Sequence, residues 1–118
     1  MSNAKHTPGP WRTGGKDGRI IYAADGFAVA DATVFHGRHE GEHSENARLI
    51  AAAPELLEAC ETFHEWMCRE EAGFVKAGNS RETPEGEAAW RAWYEENLRL
   101  CSLSQEQSRA AIAKARGE

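Results

Sequence analysis

Leu49, Ala53, Leu56, Cys60, Phe63, Met67 and Phe74 stand at successive spacings of 4, 3, 4, 3, 4 and 7 residues. A repeat of this kind commits a chain to a helix whose apolar seam packs along a second helix. Pro54 falls inside the repeat. Its ring clashes with the carbonyl of Ile50 and it has no N–H to donate, which predicts a kink or two abutting helices near Ala53. Ser44 is placed to cap the first turn, with Glu45 at the positive end of the helix dipole. The partner helix lies downstream. Residues 73–82 read as a loop, and Thr83-Pro84 is a cap followed by proline at the first helical position. From there a helix runs towards residue 116, with Trp90, Trp93, Tyr94, Asn97, Leu100 and Cys101 able to share a face. Ser104 and Gln107 form a capping-box pattern, which predicts a break near Ser102 and Ser104 and a last helical piece over 109–116.

The preceding residues follow a different rule. Seven of the eleven glycines fall within residues 1–43. Arg19-Ile20-Ile21-Tyr22 and the run from Phe27 to Val34 read as strands, and Pro10-Trp11-Arg12-Thr13 as a third. Asp25-Gly26 between the last two is a hairpin signal, because both residues tolerate positive φ. Three short strands need something to cover one face. The expected fold is therefore α+β: a small N-terminal antiparallel β-meander packed on a C-terminal kinked helical hairpin. It forms one domain over 1–118, with the meander and a polar loop in 1–43 and the hairpin in 44–118.

Charge narrows the function. Residues 1–43 carry five basic and five acidic side chains and residues 44–118 nine and fourteen, so the whole net charge of -5 sits in the helical part. That balance disfavours sequence-general DNA binding through phosphates. Mean hydropathy is -0.66, and no stretch approaches the ~20 apolar residues of a membrane span. The opening Met-Ser-Asn-Ala-Lys-His has no apolar signal region. Cys60, Cys68 and Cys101 have no C-x-x-C spacing, which fits reduced thiols in a cytoplasm. Cys60 and Cys101 fall at core-type positions of the two helices.

Chemistry-bearing motifs are few. His39-Glu40-Gly41-Glu42-His43 matches the zinc-hydrolase pattern, which needs both histidines one turn apart on a helix with the glutamate as base. Gly37 and Gly41 disfavour that helix, the segment is polar throughout, and no third ligand is evident. A solvated loop is the favoured reading, and no cofactor or metal is expected. No nucleophile–base set, P-loop or G-x-G-x-x-G occurs. Two places suit an anion. One is the helix start at Ser44-Glu45-Asn46-Ala47-Arg48, with backbone N–H groups and Arg48. The other is the terminal helix, where Arg109 is the better candidate because Lys114 and Arg116 are explained as partners of the helix dipole. Trp66, Trp90, Trp93 and Tyr94 suit either a core or an oligomer interface. Asn46, Arg48, Arg109, Trp90 and Trp93 form the candidate ligand-binding set.

His6-Thr7-Pro8-Gly9-Pro10-Trp11 and the run Asn46-Ala47-Arg48-Leu49-Ile50-Ala51-Ala52-Ala53-Pro54-Glu55-Leu56-Leu57-Glu58-Ala59 resemble a widespread family of small phage and prophage proteins. The ending Ala110-Ala111-Ile112-Ala113-Lys114-Ala115 is similar as well. The layout of a small sheet followed by kinked helices also resembles the Thoeris anti-defence sponges. That resemblance implies a non-enzymatic homo-oligomer, a dimer or larger, in the cytoplasm of the infected or lysogenic host. Its ligand would be a cyclic ADP-ribose-type or cyclic oligonucleotide immune signal. Two further expectations stand beside it: a phage protein that binds a host protein through its acidic helices, and a small zinc hydrolase.

Overall fold

The computed structural model describes residues 5–33 and 42–118. It is an α+β protein. Strands β1 (Arg12–Gly14), β2 (Ile20–Tyr22) and β3 (Ala28–Asp31) are followed by helices α1 (Glu42–Ala51), α2 (Ala53–Ala72) and α3 (Pro84–Arg116). The chain divides into two compact units. The first comprises residues 1–57 and 108–118, the second residues 58–107.

The first unit is built on the expected meander, antiparallel in the order β1-β2-β3. Thr13 pairs with Ile21 and Arg12 with Tyr22, so period-two alternation puts Ile21 on one face and Tyr22 on the other. The β2–β3 hairpin closes with Gly26 N–H donating to Ala23 O at 3.0 Å and Ala23 N–H to Phe27 O at 2.8 Å. Of the Asp25-Gly26 pair, only Gly26 takes positive φ, at 92°. Asp25 contributes differently, its Oδ1 accepting the Phe27 N–H. At the end of β3, Asp31 accepts from both the hydroxyl and the N–H of Thr33. That hydroxyl above all, helped by the N–H and by Arg19, holds the Asp31 carboxyl below its ordinary range.

Helix α1 covers the Ile21 face. Ile21, Ala32, Ala47 and Ala51 form the buried cluster, with Trp11, Val29, Ala30 and Ile50 packed at its edge. Alanine at 47 and 51 lets the helix axis approach the sheet closely. Ser44 does not cap this helix. The helix begins two residues earlier, at Glu42. The break at Pro54 is as expected. Ala52 ends one helical ladder, donating to Arg48 and Leu49, and starts the next by accepting from Leu56.

In the second unit, α2 and α3 run antiparallel. Gln107 donates to Glu58, Arg69 to Asn97, and Phe74 meets the Trp93 ring at 6.0 Å. Thr83 caps α3, its Oγ1 accepting the Gly86 N–H at 3.0 Å. The seam is not the apolar repeat. Its buried and half-buried positions include Ala59, Thr62, Trp66 and Arg69 of α2 and Trp93, Asn97, Leu100, Ser104 and Gln107 of α3, and Cys60, Phe63 and Met67 sit one position further round. Phe63 and Met67 are 50% and 42% exposed, and Cys60 is exposed rather than buried, with Cys101 half-buried. The expected break at Ser104 is absent as well: α3 is continuous and Ser104 is buried in the seam.

Candidate functional site

The first unit carries a cleft of about 550 Å³ lined by Pro10, Trp11, Arg12, Thr13, Arg48, Ala51, Lys114, Gly117 and Glu118. Three separate stretches build it. The first leads into β1. There Trp11 is fixed by its indole N–H, which donates to Thr7 O at 3.1 Å. Alternation along the strand sends Trp11 and Thr13 towards the cleft and Arg12 to the far face, where its guanidinium lies 5.0 Å from the Tyr22 ring centroid. This stretch is tied to α2 by a close approach: a Cβ at Gly9 would stand 3.0 Å from that of Pro54.

The second stretch is α1. Ala47 and Ala51 point into the core, so Arg48, one position on, is turned about 100° to the helix's flank. The third is the end of α3. Lys114 Nζ is 2.7 Å from Glu55 Oε1, and Gly117, at φ 76°, leaves room for Arg48. A Cβ there would come within 2.7 Å of Arg48 Cδ and 2.8 Å of its Nη1.

The electrostatics follow from these pairings. Lys114 has a carboxylate partner. Arg48 has none: among the described residues, no carboxylate or other hydrogen-bond acceptor is paired with it. An unmatched guanidinium beside an indole and a hydroxyl suits a planar or phosphorylated anion, because its N–H groups form a fixed fork for oxygen acceptors. The Glu118 carboxylate at the rim partly offsets the cations.

The expected ligand-binding residues are distributed over both units. Arg48 lines the cleft. Asn46 lies one turn inside α1, where its backbone N–H belongs to the helical ladder. Arg109 is exposed and does not line the cleft, whereas Lys114, assigned to the helix dipole from sequence, does. Trp90 and Trp93 belong to the second unit. There Trp90 lies 3.5 Å beneath the Arg81 guanidinium and stacks on Tyr94 at 5.1 Å. Arg81 is held by two bonds to Glu87, and these, with Arg91 adding, keep the Glu87 carboxyl below its usual range. Residues 39–41 of the zinc motif lie outside the described residues. Among the described residues no group of three metal-ligating side chains converges, and no helix is long and apolar enough to cross a membrane. Sequence reasoning missed Trp11 and Thr13. The signal available for them was the joint presence of the 6–11 and 46–59 motifs, which Gly9 and Pro54 bring into contact.

A family model described as Salmonella phage P22 protein Y8K6 matches residues 1–118. No curated protein and no solved structure matches the chain.

Proposed function

The chain belongs to the Salmonella phage P22 protein Y8K6 family, and from that premise we propose that it is a non-enzymatic phage accessory protein that captures a phosphorylated small molecule in the Arg48 cleft. The observation that carries this is the Arg48 guanidinium, unpaired among the described residues and set with Trp11, Thr13 and Lys114 in the lining of a cleft of about 550 Å³. That volume lies in the usual range for small-molecule sites. Trp11 offers a face for a base, Arg48 a fork for phosphate oxygens and Lys114 a second cation. In a phage protein such a site fits counter-defence, with a cyclic nucleotide signal of host immunity as the sequestered ligand.

The test is native mass spectrometry of the purified protein incubated with cyclic ADP-ribose and with a cyclic dinucleotide. Capture predicts the mass of one ligand per chain, recovered unchanged on denaturation. A hydrolysed product would overturn the non-enzymatic reading, and no mass gain would overturn capture. One zinc atom per chain would move the function to His39-Glu40-Gly41-Glu42-His43.

A second reading has its own observation. Glu58, Glu61, Glu65, Glu96 and Glu106 fall on one side of the α2–α3 hairpin, an acidic surface suited to a basic host protein.

A further inference from the structure

We propose that the opposite side of the α2–α3 hairpin is the docking face for a second copy of this chain. The face is made by Cys60, Phe63 and Met67 of α2 with Tyr94, Leu98 and Cys101 of α3. Each residue sits one position after a seam residue or three positions from one that does, which turns it away from the seam by about one residue step of 100°. Because the helices are antiparallel, the same turn on both brings the two stripes to the same side of the hairpin. Phe63, Met67, Tyr94 and Leu98 are 50, 42, 45 and 51% exposed, so among the described residues an apolar strip is left uncovered.

Three observations identify the occupant as a second copy. The first is spacing. Residues 56, 60, 63 and 67 and residues 94, 98, 101 and 105 both repeat at 4, 3 and 4, and a heptad-spaced surface is complementary to another of the same spacing. The second is charge. The carboxylates Glu58, Glu61, Glu65, Glu96 and Glu106 are gathered on the other side, so two copies of an acidic chain can approach through this side without opposing them. Of the charges that border the strip, Glu70 is bonded to Asn97 and Trp66, and Arg91 is paired with Glu87. The third is area. With aromatic side chains presenting roughly 150–250 Å² each, the uncovered parts of these four residues amount to about 400 Å² per copy, within the range of functional patches. Two hairpins then meet as a four-helix assembly related by a two-fold axis.

The cysteines make the proposal testable. Cys60 and Cys101 lie on the strip and Cys68 on the acidic side. Sedimentation equilibrium of the full chain should give twice the 13.0 kDa chain mass. Oxidation with copper phenanthroline should cross-link variants that retain Cys60 or Cys101 alone, but not one that retains Cys68 alone. The double variant Phe63→Glu, Leu98→Glu should weaken the dimer at least ~100-fold, since it places unpaired charges in a desolvated interface. Its circular dichroism should be unchanged because both positions are exposed. Glu61→Lys with Glu65→Lys should leave the dimer intact. A wild-type monomer at about 100 µM, well above the dissociation constants of stable dimers, would overturn the proposal. So would a cross-link through Cys68 alone, or a dimer that survives the double variant.

Discussion

Asn97 is 2% exposed, at the centre of the α2–α3 seam. Its Oδ1 accepts from Arg69 Nε at 2.6 Å and its amide donates to Glu70 Oε1 at 3.1 Å. Glu70 also accepts from the Trp66 indole, and Arg69 donates to Trp93 O. Asn97→Ala removes two bonds to charged groups and leaves the half-buried Arg69 Nε without that acceptor. Hydrogen bonds to charged groups contribute about 1.5–3 kcal/mol each. Glu70 is exposed, so its bond belongs at or below the bottom of that range, and the expected loss is about 3 kcal/mol. Against a typical stability of about 5–15 kcal/mol, this should lower Tm by about 10 °C. Urea unfolding followed by tryptophan fluorescence and circular dichroism measures it. A double-mutant cycle with Arg69→Ala should return a coupling of about 1–2 kcal/mol. A loss below about 0.5 kcal/mol, with coupling within the usual ~0.3 kcal/mol additivity error, would refute the assignment of the seam's register to this network.

Three other outcomes follow from the same structure. Ile21→Ala, at the fully buried centre of the sheet core, should cost about 2–4 kcal/mol in the urea midpoint, and Ile21→Val about 1. Because the folded Glu87 pKa is depressed, chiefly by Arg81, its contribution is present above the ordinary carboxylate range and is lost as pH falls through the folded value. Trp90 emission should change in that acidic window, and Glu87→Gln should abolish the change. Glu55→Gln releases Lys114 Nζ from its 2.7 Å pair and should tighten anion binding about threefold, matching the ~0.7 kcal/mol of a partly exposed ion pair; unchanged affinity in a calorimetric titration would remove Lys114 from the site.

Local signals were readable from the chain, and long-range pairings were not. The Asp25-Gly26 turn, the Thr83-Pro84 start and the Pro54 break each depend on a few neighbouring residues, and each is found where those residues place it. The helical seam depends on both helices. Thr62, Trp66 and Arg69 look like a surface from α2 alone; Asn97, 28 residues away, is what makes Arg69 an interior partner. The apolar repeat is real, but its spacing does not say whether its partner is α3 or another molecule. Ser104 shows the same limit, since its capping-box pattern is overridden by burial in a continuous helix. The cleft needs residues 10–13, 48–51 and 114–118 together. Arg48 could be singled out from its helix, but Trp11, Thr13 and Lys114 acquire meaning only once the fold joins the three stretches.

The most direct test of the anion-capture account is calorimetric titration of cyclic ADP-ribose into the wild-type protein, Arg48→Ala and Arg109→Ala. One or two charge-assisted hydrogen bonds from Arg48, at about 1.5–3 kcal/mol in total, correspond to a roughly 10- to 150-fold loss in Arg48→Ala. Arg109→Ala, outside the cleft, should stay within about twofold of wild type, as exposed charges do. Absence of binding to the wild type at millimolar ligand, or an Arg48→Ala variant that binds as tightly as wild type, would contradict the account.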